Sequence, residues 1–134
     1  MNYLGIDFGE KKIGLSLSAG EIARPFLVLR VKSPELGIAE IKEICEEEEV
    51  EKIIVGFPES DKNSEIAAKI KQFAANLSQA INLPLVFQDE TLTSYEALQK
   101  MIVSGKSMKK RRKEDAFAAA IILQDYLDKL KIKE

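Results

Sequence analysis

Lys52-Ile53-Ile54-Val55-Gly56-Phe57 is a short apolar run with an amphipathic segment on either side of it. Such a run between two helices reads as a central parallel strand covered on both faces. A parallel neighbour requires a long crossover, so the helices on either side of the run would connect it to the strands it pairs with. Residues 2–8 alternate, with Tyr3, Gly5 and Asp7 on one side and Leu4, Ile6 and Phe8 on the other, which predicts a strand. Gly9-Glu10-Lys11-Lys12 reads as a tight turn. Ile13, Leu15 and Leu17 then alternate with Gly14, Ser16 and Ser18, so a second strand closes a hairpin on the first. Pro25 opens a third run, Phe26 to Val31. Pro34 starts a helix whose apolar side carries Leu36, Ile38, Ile41, Ile44 and Cys45. After a polar loop, Glu59 to Asn63, a second helix extends to about Ala80 with Ile66, Ile70, Phe73, Ala74 and Leu77 at helical spacing. Leu85-Val86-Phe87 is another short buried strand, closed by Gln88-Asp89-Glu90. Thr93 or Ser94 caps a third helix beginning near Tyr95, Gly105 and the basic run after it form a loop, and a last helix covers about Glu114 to Leu130. The expected fold is α/β. It has a mixed five-stranded sheet, three antiparallel strands and then parallel ones, flanked by helices in a single domain over 1–134.

The chemistry is bounded by what is missing. There is no histidine and a single cysteine, Cys45. A Ser-His-Asp triad is excluded, a zinc site is disfavoured, and no internal disulfide can form. Cys45 reads as a small buried hydrophobe on its helix. The absence of a signal segment and of a roughly 20-residue apolar span points to the cytoplasm rather than to a membrane. Any catalysis must come from carboxylates, lysines or a cofactor, and carboxylates suit hard ions such as Mg2+ or Mn2+.

Three acids stand where a carboxylate is costly unless it is paired or binds a metal: Asp7, Glu90 and Asp115. Asp7 and Glu90 end strands, and ligand sites in sheets with parallel strands gather at the carboxyl ends. Asp115 opens a helix and shares a face with Ala118, Ala119 and Ile122, whose small side chains would let the helix approach the sheet. Together these acids could hold two divalent ions and so hydrolyse a phosphodiester without a histidine. Each acid also has a plainer reading, as a turn residue or helix cap, or for Asp115 as a partner of the helix dipole. On chemistry alone Asp89 is as good a candidate as Glu90. The net charge is −2, but the charges are segregated. Lys106, Lys109, Lys110, Arg111, Arg112 and Lys113 lie immediately before Asp115, and Lys11 and Lys12 lie in the first turn. These cations are candidates to engage nucleic-acid phosphates. The run Glu46 to Glu49 reads as solubility surface.

Asp7-Phe8-Gly9-Glu10-Lys11-Lys12-Ile13-Gly14 resembles the opening motif of the YqgF-type proteins. These are bacterial RNase H-like proteins named as Holliday junction resolvases and as pre-16S rRNA nucleases. Val55-Gly56-Phe57-Pro58 resembles their Val-Gly-Leu-Pro strand end, and Asp89-Glu90-Thr91-Leu92-Thr93-Ser94 their Asp-Glu-Arg-Leu-Thr segment. Residues 113–124 resemble their final helix, an acid followed by alanines and Ile-Leu-Gln. The four motifs stand in the family's order and cover nearly the whole chain. The resemblance implies an RNase H-like fold and an acidic triad at Asp7, Glu90 and Asp115, choosing Glu90 over Asp89. It also implies a metal-dependent nuclease that processes the 5′ end of pre-16S rRNA, as a monomer or weak homodimer, with RNA the expected partner before DNA. The chain departs from the family at Thr91, where an arginine is usual, and at Ser60, where an asparagine is usual.

Two rival readings remain at this level. One is a Holliday junction resolvase, which cuts symmetrically and therefore acts as a dimer. The other is a non-catalytic RNA-binding module of ribosome assembly, in which the basic loop binds and the acids are structural.

Overall fold

The computed structural model of the chain describes residues 1–90 and 114–133. Five strands, β1 (Asn2–Asp7), β2 (Lys12–Ala19), β3 (Ala23–Arg30), β4 (Lys52–Phe57) and β5 (Leu85–Asp89), form one sheet in the order β3-β2-β1-β4-β5. β1, β2 and β3 pair antiparallel, while β4 pairs parallel with β1 and with β5. The helices are α1 (Ile38–Glu47), α2 (Glu65–Ala80) and α3 (Glu114–Lys133). The expected mixed sheet is therefore present, with the apolar run at its parallel centre. The helix expected near Tyr95, its Thr93 or Ser94 cap and the basic loop after Gly105 lie outside the described residues.

The two faces of the sheet are covered differently. α1 and α2 cover one face, where Leu4, Ile6, Ile13, Leu15, Ile53, Val55 and Phe57 pack with Ile41 and Cys45 of α1 and Ile70, Phe73 and Leu77 of α2. α3 covers the other, where a smaller cluster joins Tyr3 and Ile54 to Ile122, Leu123 and Leu127. Ser64 caps α2 by accepting the Ala67 N–H at 3.2 Å. α1 ends in a Schellman turn. The Val50 N–H reaches the Cys45 carbonyl at 2.9 Å and the Glu49 N–H the Glu46 carbonyl at 3.4 Å, with Glu49 left-handed at φ 53°.

Several sequence expectations are corrected. β3 begins at Ala23, so Pro25 lies inside the strand. An edge strand tolerates the missing N–H, and the pairing is irregular there, between Leu15 and Ser16. Pro34–Gly37 is a 3-10 turn rather than the start of α1. Its tighter winding carries Leu36 away from the sheet, and Leu36 is 63% exposed. In α2 the inward residue of the first turn is Ala67, so its neighbour Ile66, 100° around the helix, is exposed. Phe87 is exposed because β5 is the sheet edge, although it still touches Phe57 with ring centroids 5.1 Å apart.

Candidate active site

α3 is laid tightly on the sheet, and this sets the site. Its contact stripe is Ala116, Ala119, Ile122, Leu123 and Leu127, all buried. Ala118, expected in the stripe, is half-buried on its flank. Opposite the stripe stand the small residues of β1, β2 and β4. The Ser16 hydroxyl donates to the Ala119 carbonyl at 2.7 Å. A Cβ on Gly5 would come within 2.8 Å of Leu123 Cβ and 2.9 Å of the Ala119 carbonyl oxygen. Only glycine admits so close an approach. Ala119 thus lies over Gly5, whereas Tyr126, two turns later, meets Tyr3 edge-on at 5.9 Å. The helix therefore runs opposite to β1, and its first turn lies toward the carboxyl end of that strand.

Asp7 is the last residue of β1, half-buried, on the α3 face with Tyr3 and Gly5. Its register partner on β2 is Gly14. On its other side, Ile6 pairs with Val55, so Gly56 follows Val55 as Asp7 follows Ile6. Asp7 is thus flanked on both neighbouring strands by residues without a side chain. Beyond Gly56 lies Gln88, its buried partner on β5. The Glu90 N–H donates to the Phe57 carbonyl at 3.0 Å and extends the β4–β5 pairing past the strand end. A Cβ on Gly56 would lie 3.6 Å from the Glu90 carboxyl carbon and 2.5 Å from Ile122 Cδ1. The Glu90 carboxylate therefore hangs over Gly56 on the face that carries Asp7. Asp89 pairs with Phe57, one residue out of phase, and takes the opposite face.

Among the predicted acids, then, Asp7 and Glu90 lie at the same end of one face of the sheet, on either side of β4. Asp115 lies in the first turn of α3, one turn before Ala119 and two before Ile122, and its side chain lies outside the described residues. Among the described residues no three acidic or other ligating groups form a metal cluster. The carboxylates of Glu90, above Gly56, and of Asp7, on the neighbouring strand, are nevertheless oxygen donors of the kind that suits a hard divalent cation. Gly56 was not singled out by sequence reasoning, although a glycine inside an otherwise apolar strand is a signal of close approach.

The charges around this edge are mixed. Lys11 and Lys12 are exposed in the hairpin turn beyond Asp7. Glu10 in the same turn bonds to Lys69 of α2, and this contact holds the Glu10 carboxyl below the usual carboxylate range and raises the Lys69 ammonium. The remaining predicted phosphate contacts, Lys106, Lys109, Lys110, Arg111, Arg112 and Lys113, lie outside the described residues.

This architecture, a mixed sheet in the order 3-2-1-4-5 with acids at the carboxyl ends of β1 and β5, is the RNase H-like fold. A solved structure with the same fold is Thermus thermophilus RuvC in complex with a Holliday junction substrate. It superposes with a TM-score of 0.62 at 19% identity, covering 96% of each chain. The sequence itself is more specific. The profile of the RuvX family, described as Holliday junction resolvase, matches residues 1–129, and the chain belongs to that family. A relative from Clostridium acetobutylicum named "Putative pre-16S rRNA nuclease" is 40% identical, over 97% of this chain and 100% of its own. One of the same name from Thermoanaerobacter pseudethanolicus is 35% identical over 99% and 100%.

Proposed function

We propose that this chain is a divalent-metal-dependent nuclease that hydrolyses phosphodiester bonds, with pre-16S rRNA its natural substrate. The observation that carries the reading is the Glu90 carboxyl carbon lying over side-chain-free Gly56, on the face and at the strand end where Asp7 stands next to Gly56 in register. The family and the names of its members support the same chemistry. Asp7, Glu90 and Asp115 would hold Mg2+ or Mn2+, whose bound form supplies an activated water and neutralises charge on the phosphate. The chain's own contribution is to fix these carboxylates. Gly14 and Gly56 put no side chain of their own beside Asp7, and α3, held close by Gly5 and Ser16, has its first turn toward the same end of β1. With no histidine in the chain, proton transfer falls to the carboxylates or to solvent. Lys11 and Lys12, with the cations of 106–113, would engage the backbone phosphates.

Residues 1–134 act on this reading as a single nuclease domain, as a monomer or weak homodimer in the cytoplasm, where rRNA precursors are processed. In support of a non-membrane protein, no helix among the described residues is long and apolar enough to cross a membrane. The family description favours a second reading, resolution of four-way DNA junctions, which would require a dimer. Purified protein is incubated with precursor 16S RNA and with a four-way junction, with Mn2+, Mg2+ or EDTA. Metal-dependent cleavage of the RNA, lost in Asp7→Asn, is the expected result. Cleavage of the junction alone, by a dimer, would favour the second reading. Cleavage of neither would overturn both.

A further inference from the structure

We propose that Lys12, Arg30 and Lys32 form a phosphate-binding corner that receives the nucleic-acid backbone on the β3 side of the carboxylates; the proposal rests on the nuclease reading above. The strand register carries it. Asp7 pairs with Gly14, and Gly14 with Val28, which makes one row across three strands on the α3 face. Two residues further out on the same face, Lys12 pairs with Arg30. Two strand spacings and one two-residue step separate the Asp7 and Arg30 backbones, about 12 Å. The long side chains of Lys12 and Arg30 therefore start beside the acidic edge and extend beyond it. Lys32 follows directly, and the Val31 N–H, which donates to the Lys11 carbonyl at 2.9 Å, ties this segment to the first hairpin turn.

All three cations are exposed, and among the described residues the ion pairs join Lys69 to Glu10 and Glu65 and Lys131 to Glu21. None uses Lys12, Arg30 or Lys32. Cations on a surface with no carboxylate bonded to them are ready for an external anion. The guanidinium of Arg30 adds a planar fork that matches a phosphate. Glu35, exposed in the following turn, offsets part of the charge. The glutamates of 46–51 stand at the opposite end of the sheet, where the Glu51 N–H donates to the Asn2 carbonyl at the start of β1. The field of the molecule therefore favours phosphates at the Asp7 end. Sequence reasoning had Lys12 but missed Arg30 and Lys32. They stand some twenty residues away from Asp7 in a run that reads as an ordinary edge strand, and only the register brings Arg30 beside Lys12.

The test is fluorescence anisotropy in EDTA, so that nothing is cleaved, with a labelled single-stranded 16S leader RNA and a labelled four-way DNA junction over a salt series. The double variant Arg30→Ala/Lys32→Ala is compared with wild type and with Lys129→Ala, a cation on the far part of α3. Thermal unfolding is used to check that all three fold alike. The expected result is roughly tenfold weaker binding of the double variant. Its plot of log affinity against log salt should be shallower by about 1.4 on the single strand, about 0.7 for each lost contact. Lys129→Ala should leave both unchanged. A loss confined to one probe supports the corner and names the nucleic acid it serves. An unchanged slope on both probes, from a protein that still cleaves, overturns the corner and leaves the nuclease reading standing. Wild-type protein that neither binds nor cleaves overturns both.

Discussion

The two faces of the sheet are built from different residues. Under α1 and α2 the contacts are aliphatic and aromatic, from Leu4, Ile6, Ile13 and Leu15 to Ile70, Phe73 and Leu77. Under α3 the sheet sets Gly5, Ser16 and Gly56 among Tyr3 and Ile54, and the helix sets Ala116 and Ala119 beside Ile122, Leu123 and Leu127. Large side chains maximise buried apolar area, which is the dominant stabilising term in folding. Small ones bury less and let backbones approach. The first face is where stability is concentrated. The second gives up burial and lets α3 lie close on the sheet, with its first turn toward the carboxyl end of β1. Substitutions on the two faces should therefore separate stability from site geometry.

Leu77→Ala should have the largest effect on stability, about 4 kcal/mol, because a fully buried leucine leaves a cavity between α2 and the sheet. Denaturant midpoints would read this, and the Mn2+ affinity of the folded fraction should be unchanged. Gly5→Ala should cost about 3 kcal/mol, at the upper end for overpacking, since two of the atoms in its way are the Leu123 Cβ and the Ala119 backbone carbonyl. Unlike Leu77→Ala, it should also weaken Mn2+ binding, because α3 must lift. Gly56→Ala should cost about 1–2 kcal/mol, as the nearest obstacle is the far end of the Ile122 side chain. Its cleavage rate should nonetheless fall well below that of Leu77→Ala, because the new methyl displaces Ile122 and lies against the Glu90 carboxyl group. If Gly5→Ala and Leu77→Ala proved alike in every readout, the division of labour between the faces would be lost.

At the other end of the sheet the effects are smaller. Burial, with a lesser contribution from Glu46, pushes the Cys45 thiol up to about 11. A thiol whose folded value is raised favours the folded state fully below its ordinary value near 9. That contribution is lost as pH rises from there through about 11. Unfolding midpoints should accordingly decline over that alkaline window in wild type and less so in Cys45→Ala. The smallest expected effect is a gain. Glu49→Gly relieves a left-handed residue at the end of α1 and should stabilise by about 0.5 kcal/mol, since the relief exceeds glycine's added chain entropy.

Much of this was legible in the sequence because period and termination are local signals. The alternation of Tyr3, Gly5 and Asp7 with Leu4, Ile6 and Phe8 gave the strand, the face and the exposed carboxyl end together. The acids at strand ends were legible for the same reason. What escaped depends on neighbours distant in the chain. Leu36, Ile66 and Phe87 read as core because they are apolar at plausible spacing. A 3-10 turn, the phase of a helix's first turn and an edge position leave them exposed. Asp89 and Glu90 take opposite faces by alternation, but only the pairing of β5 with β4 decides that Glu90 is the one on the Asp7 face. The roles of Gly5 and Gly56 depend on atoms of α3 more than sixty residues away.

The most direct measurement is calorimetric titration of Mn2+ into wild-type protein and into Asp7→Asn, Glu90→Gln and Asp115→Asn. Three carboxylates sharing the metal require each substitution to weaken binding by more than the roughly 10–100-fold typical of outer-shell changes, with folding intact. Wild-type affinity in Asp115→Asn would contradict this, since it would mean that the close approach of α3 brings nothing to the site.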